Sequence, residues 1–278
     1  MTRPLRLGLM QMNSGIDPLA NAEALESGIA ALAAERAQIV FTPEMSGCLD
    51  KSRERLMQSV RTEANDPVLA RVRAAAERHG VWVQLGSLAL RAVGSDEDKL
   101  VNRGFLIAPD GSIAARYDKI HLFDVDLGGG ERYGESKVYQ PGTKPVLAEA
   151  AGAALGLSIC YDIRFPRLYD VLSAGGAEII AIPAAFTVPT GKAHWHLLQR
   201  ARAVESQCFT VAAAQVGEHE DGRATYGHSL VVDPWGEVLL DMGGDAPGTA
   251  TCEIDLSRIA EVRRGLPSHA HRTHIPPL

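Results

Sequence analysis

Strand-length apolar runs recur along nearly the whole chain, separated by helical stretches in some places and by tight-turn signals in others. Residues 5–12 (LRLGLMQM) and 39–42 (IVFT) read as strands, and the Ala-rich amphipathic segment from Pro18 to Arg36 reads as the helix between them. A second helix is expected from Val68 to His79, ending at Gly80, whose tolerance of positive φ suits the residue after a helix. It leads into VWVQLGSLAL, and then VNRGFLIA and SIAARYD form a hairpin closed by Pro109, Asp110 and Gly111. Beyond a Gly-rich, charged loop (118–144), strands are expected from Gly156 to Ile159 and from Glu178 to Pro183, around a helix from Pro166 to Ala174. A helix from Lys192 to Glu205, strands in FTVAAAQV, HSLVVDP and EVLLDM, and a short helix from Leu256 to Arg264 complete the order. Such alternation predicts an α/β protein with mixed sheets. No linker, repeat or low-complexity tract divides the 278 residues, so one domain over 1–266 is expected, with the Pro- and His-rich stretch 267–278 as a tail too short and polar to fold alone.

The formal charge of −6 comes with no clustered Lys or Arg, which argues against a phosphate-tracking surface and so against a nucleic-acid partner. Gln11 and Asn13 interrupt the first apolar run too early for a signal sequence or a membrane span, so a cytoplasmic protein without a membrane partner is expected. The four cysteines, Cys48, Cys160, Cys208 and Cys252, are far apart and form no C-x-x-C pair, which leaves each a free thiol in a reducing compartment.

Cys160 stands out because it lies at a strand-to-helix turn in GLSICYDIRFPRLY, with Pro166 placed to open the helix. The carboxyl edge of a sheet is where α/β proteins hold ligands, although cysteine is also one of the most buried residue types and can simply pack there. A nucleophilic thiol needs a base. Histidine is the usual one, and His121, His194, His196 and His228 are available. Two other charges also follow strands: Glu44 in VFTPEMSG and Lys119 in RYDKIHLFD. Each taken alone reads as a solvated surface residue. Taken with Cys160, they supply an acid, a cation and a thiol: Glu44, its pKa raised by burial, would shuttle the proton, and Lys119 would stabilise an oxyanion.

On these three motifs, in this order and over about Leu5 to Arg264, the chain resembles the nitrilase superfamily of carbon-nitrogen hydrolases. The resemblance implies Glu44, Lys119 and Cys160 as catalytic residues. It also implies a four-layer α-β-β-α sandwich with two mixed sheets, a homodimer formed through helices, and neither metal nor organic cofactor. YDKIHLFDVDL, AFTVPTGKAHWHLLQRARAVESQC and YGHSLVVDPWGEVL are most similar to the Nit branch, whose members cleave amides of short dicarboxylate-like substrates. By the same resemblance, the Tyr161 backbone N–H joins the oxyanion hole, Glu135 positions lysine or substrate, and Phe186, Thr187 and His194 line the substrate loop. Arg164, four residues past the thiol, is a candidate clamp for a substrate carboxylate, the alternative being an ion pair with Asp162 or a subunit partner. The segments MSGCLDKSRERL and DLGGGERYGES depart from the family pattern and are expected beside the pocket, the second (within 126–137) as a possible lid.

The reading that follows is a cysteine amidase acting on a small carboxylate-bearing amide: deaminated glutathione first, an ω-amide such as 2-oxoglutaramate or an N-carbamoyl compound as alternatives. A silent binding protein on the same scaffold would not need all three reactive residues. A metal-dependent hydrolase built on His194, His196 and the tail residues His269, His271 and His274 has poor ligand geometry, since helix positions two apart do not share a face and no H-E-x-x-H occurs.

Overall fold

Leu5, Leu7 and Leu9 alternate with Gly8 and Met10 along strand β1 (Pro4–Gln11), and the two sets face different layers. The odd residues enter a core shared with a second sheet, while Met10 packs under helices α1 (Pro18–Ala34) and α3 (Pro67–His79), and Gly8 fits closely against Leu32 and Ala37. The computed structural model describes residues 2–92, 99–128 and 132–273.

Between α1 and α3 come β2 (Ile39–Phe41) and a short helix α2 (Arg53–Ser59). Strands β3 (Trp82–Arg91), β4 (Leu100–Ile107) and β5 (Ile113–Asp118) extend the first sheet, and a small hairpin follows as β6 (Asp124–Asp126) and β7 (Arg132–Gly134). Next are β8 (Val146–Ala150), β9 (Ala153–Leu157), α4 (Pro166–Ala174), β10 (Ile179–Ala181), α5 (Val188–Ser206) and β11 (Phe209–Ala212). A second small hairpin, β12 (Val216–Glu218) and β13 (Ala224–Tyr226), precedes β14 (Leu230–Val232), β15 (Val238–Asp241), β16 (Gly248–Asp255) and α6 (Ser257–Gly265).

Two six-stranded mixed sheets result, ordered β16-β1-β2-β3-β4-β5 and β15-β14-β11-β10-β9-β8. Their facing apolar side chains, Ile39 and Phe41 against residues such as Leu155 and Ile179, share one core. Leu168, Leu172 and Trp195 of α4 and α5 join that core from the second sheet's side, while α1 and α3 cover the first sheet with Leu25, Ile29 and Val72. This is the expected α-β-β-α sandwich. Layering sets two amphipathic faces back to back, so each sheet is buried on both sides.

Several boundaries differ from the sequence reading. Gly80 does end α3 in a left-handed conformation (φ 62°). Helix α5 begins four residues before Lys192, because Pro189 suits its first turn. β9 starts at Ala153, before the expected Gly156, since its alanines carry little strand signal. β16 was not expected at all: as an edge strand paired antiparallel to β1 it keeps polar, half-exposed residues. The β6–β7 hairpin lies in the stretch read as a loop (118–144), while β8 and α2 lie in stretches to which no element was assigned from the sequence. Residues 267–273 fold back on α4, where Arg272 donates to Ser173 at 2.9 Å and pairs with Asp170 at 3.3 Å. Residues 129–131 of the Gly-rich segment and His274 lie outside the described residues.

Candidate active site

Three strand ends of the two sheets converge. Glu44 follows β2, and its loop is pinned by short-range contacts: Ser46 Oγ donates to the Pro43 carbonyl at 2.6 Å, and Met45 N–H to Ser87 Oγ at 3.0 Å. Gly86 lets β3 lie flat against this loop, since a Cβ there would stand 2.1 Å from the Thr42 carbonyl oxygen. Lys119 follows β5, held by its N–H to the Asn102 carbonyl at 2.9 Å. Cys160 follows β9 at φ 48°, a left-handed conformation uncommon for a residue with a Cβ, and its N–H donates to the Pro183 carbonyl at 2.9 Å.

Asp162 fixes the turn after the thiol. Its carboxylate accepts from Ile159 N–H (2.9 Å) and the Tyr117 hydroxyl (2.7 Å), and from the backbone N–H of His121 at 3.0 Å; His121 Nδ1 lies 2.7 Å away. Tyr117 and His121 flank Lys119, so this one buried carboxylate ties the lysine segment to the cysteine turn. It is therefore not the partner of Arg164.

Glu44, Lys119 and Cys160 are all buried. Lys119 Nζ donates to Glu44 Oε1 at 2.9 Å and to both Glu135 oxygens at 3.1 and 2.9 Å. Asn102 Nδ2 bridges the same two carboxylates, at 2.9 Å to Glu44 and 3.2 Å to Glu135. Ala185 N–H donates to Glu44 Oε2 at 3.0 Å, and Phe123 N–H to Glu135 Oε2 at 2.7 Å. The buried Cys160 thiol lies close enough to Glu44 and Lys119 for both charges to act on it.

These contacts decide protonation. Burial works to raise the Glu44 carboxyl, but the Lys119 ammonium and the hydrogen bonds from Lys119 and Asn102 outweigh it and hold the group below its ordinary value. The expected upward shift of Glu44 is thus reversed: a cation at hydrogen-bonding distance overcomes desolvation. Burial would also lower Lys119, yet Glu135 and Glu44 hold it well above its usual value. Burial, and then the Glu44 charge, push the Cys160 thiol well up, with Lys119 opposing. At rest the site is a carboxylate, an ammonium and a neutral thiol.

A cavity of about 280 Å³ opens on this group. Tyr161, Phe123, Phe186 and Tyr139 give it apolar walls, and Thr187 lines it from the start of α5. Phe186 packs at a tilt of 52° against Trp195 (centroids 4.7 Å apart), and the half-buried Arg164 guanidinium lies 5.2 Å above Phe186 and 6.0 Å from Tyr161. Among the described residues Arg164 has no carboxylate partner; its polar neighbour is His194 Nδ1 at 3.3 Å. His194 itself is exposed and is not part of the lining, because the α5 register turns it outward while Trp195 points in. No histidine lines the cavity among the described residues. Sequence reasoning missed Asn102, the Ala185 N–H, the bracing role of Asp162 and the cavity-lining cations Lys51, Arg53 and Arg223. The polar pair Asn102–Arg103, which interrupts the apolar run of β4, was the available signal for Asn102.

Residues 6–264 match the carbon-nitrogen hydrolase family model. The chain is 39% identical over 276 residues to the deaminated glutathione amidase of Synechocystis sp., covering 98% of this chain and all of that one. Its structure is similar to the Caenorhabditis elegans NitFhit protein (TM-score 0.88, 36% identity, 98% of this chain and 65% of that one). It is also similar to Saccharomyces cerevisiae Nit3, a member of branch 10 of the nitrilase superfamily (TM-score 0.85, 25% identity, 95% of each chain). Fold, motif order and family match agree: the chain belongs to the carbon-nitrogen hydrolase family and is a hydrolase of carbon-nitrogen bonds.

Proposed function

We propose that this enzyme is a cysteine amidase whose substrate is deaminated glutathione. The observation that carries the chemistry is the contact set around Lys119, with Glu44 and Glu135 on one ammonium and the buried Cys160 thiol within reach of both the Glu44 and Lys119 charges. Cys160 Sγ attacks the amide carbonyl carbon as Glu44 takes the thiol proton. The resulting oxyanion is met by the Lys119 ammonium and the Tyr161 N–H, which lies in the first turn of a 3-10 segment where amides lack intrahelical acceptors. Glu44 passes its proton to the departing nitrogen, the C–N bond breaks, and a thioester remains. Water then attacks the thioester, giving its proton to Glu44, which returns it to sulfur as the acid leaves.

Because the thiol is held neutral and Glu44 ionised, proton transfer before attack is strongly uphill, so transfer accompanies C–S bond formation. Glu135 keeps Lys119 charged and aimed. Arg164, stacked between aromatic rings and lacking an acidic partner among the described residues, suits a substrate carboxylate. The preference for deaminated glutathione rests on the name carried by the Synechocystis relative. The expected partner is a second copy: Leu197 and Val204 on α5, with Trp235 and Val238 at the adjoining β14–β15 turn, are exposed large apolar residues of the kind that dimers bury. No described helix is long and apolar enough to cross a membrane, and a cytoplasmic location remains part of the proposal.

Hydrolysis of deaminated glutathione and 2-oxoglutaramate, compared side by side by release of 2-oxoglutarate, tests the substrate. Faster turnover of the first supports the proposal. Turnover of the second alone makes the enzyme an ω-amidase, and turnover of neither removes both substrates.

A further inference from the structure

Outside the cavity, two imidazoles and a carboxylate meet at the edge of the second sheet. His196 Nε2 is 2.9 Å from Asp241 Oδ2, and His228 Nδ1 is 2.9 and 3.1 Å from the two Asp241 oxygens. The three donor atoms lie within 4.8 Å of one another. None of these residues lines the cavity, and the sequence reading set His196 beside His194, which faces elsewhere. We propose that His196, His228 and Asp241 form a divalent transition-metal site, suited to zinc, that ties α5 to the edge strand β15.

The donor set fits such an ion. Two imidazoles and one carboxylate are a common three-ligand set for zinc, whereas magnesium and calcium prefer all-oxygen cages. Tetrahedral zinc bonds of about 2.0–2.1 Å put neighbouring ligand atoms roughly 3.3 Å apart, so the N···O contacts need open by only a few tenths of an ångström and the rings swing slightly inward. Side-chain exposures of 36%, 23% and 32% for His196, His228 and Asp241 leave a route from solvent and room for a water ligand.

The backbone presets two of the three ligands. His228 sits at φ 54°, with its N–H donating to the Gly243 carbonyl at 2.7 Å, and Gly243 N–H in turn donates to Asp241 Oδ1 at 2.9 Å. The Tyr226 ring stacks on His228 at 4.4 Å and closes one side. The His228 carbonyl accepts the Trp195 indole N–H at 2.8 Å, and Trp195 supports Phe186 in the cavity wall, so an ion here would brace that wall from behind. Removing the ion is expected to loosen α5 and leave the reacting groups in place.

Zinc titration of the chelator-treated, full-length protein by calorimetry, together with cobalt(II) absorption spectra, tests the site. The expected result is one zinc equivalent per chain, unaffected by magnesium, with affinity weakened at least about 10-fold in His196→Ala and in Asp241→Asn. Cobalt should give visible bands without a sulfur charge-transfer band. Because Asp241→Asn also disturbs the Gly243 contact, His196→Ala, on the half-exposed side of α5, is the decisive variant. Absence of zinc binding, unchanged affinity in His196→Ala, or a thiolate band placing the ion at a cysteine would each overturn the proposal; the trio would then be a hydrogen-bonded bridge only.

Discussion

Lys119 Nζ lies 2.9 Å from Glu44 Oε1, with the two side chains only 3% and 6% exposed. An ion pair so deeply buried persists only if every member is satisfied, because a charge left without a partner there is strongly destabilising. Asn102, Glu135, Ala185 and Phe123 do the satisfying. The same network fixes which group carries the proton, so structural support and chemistry reside in the same few hydrogen bonds.

Glu135→Gln retains an acceptor for the Phe123 amide and removes one charge from Lys119. The ammonium then acts on Glu44 alone and holds it further down. The acid limb of kcat/KM should move to lower pH while kcat falls about 100-fold, as for loss of one preorganised oxyanion contact. An unmoved limb with undiminished kcat in a pH–rate profile would contradict this role.

Asn102→Ala deletes two donors to buried carboxylates and should cost about 1–3 kcal/mol in urea unfolding. Because Glu44 loses a hydrogen bond to its charged form, its carboxyl rises and the acid limb moves to higher pH, opposite in sign to Glu135→Gln. Comparing the two profiles separates Asn102 from Glu135.

The thiol is raised well above its ordinary value, first by burial and then by the Glu44 charge, so it is protonated below that value and ionises only above it. The thiolate ultraviolet absorbance of wild type minus Cys160→Ser should therefore stay flat from about pH 7 to about pH 9. Glu44→Gln removes the opposing charge while Lys119 remains, so the Cys160 step should move to lower pH, with hydrolysis lost. A thiolate signal at neutral pH in the wild type would show that the proton has already left before substrate arrives.

Arg164→Ala should lower kcat/KM for an anionic amide by about 10- to 100-fold, the worth of a hydrogen-bonded charge. A neutral amide of similar size should lose little. Equal losses on both substrates would assign Arg164 to wall packing over Phe186 and not to carboxylate binding.

Gly86→Ala forces a methyl group into the Thr42 and Pro43 carbonyls, 2.1 and 2.2 Å from where its Cβ would stand. Backbone cannot yield as a flexible side chain can, so stability should fall by at least about 3 kcal/mol and Glu44 should be displaced. Thermal unfolding with a residual-activity assay checks it.

The order of strands and helices, and the Glu44, Lys119 and Cys160 strand ends, were legible because apolar periodicity and the flanking motifs are local. What was not legible depends on distance. Asp162 reads as an ion-pair partner for Arg164 until Tyr117 and His121 arrive from the first sheet's side, and the downward shift of Glu44 follows only once Lys119 is within hydrogen-bonding reach. His194 and Trp195 are neighbours in sequence, and only the register of α5 against the core decides which one turns inward. His196 acquires Asp241 from 45 residues away, on an edge strand whose approach to α5 no local pattern announces.

The central claim, a thioester on Cys160, is tested most directly by intact-protein and peptide mass spectrometry of the wild type quenched with acid during turnover of deaminated glutathione. A 2-oxoglutaryl adduct is expected on the peptide containing Cys160 of the quenched wild type, and none in Cys160→Ser treated in the same way. An adduct on another residue, or full hydrolysis by Cys160→Ser alone, would contradict it.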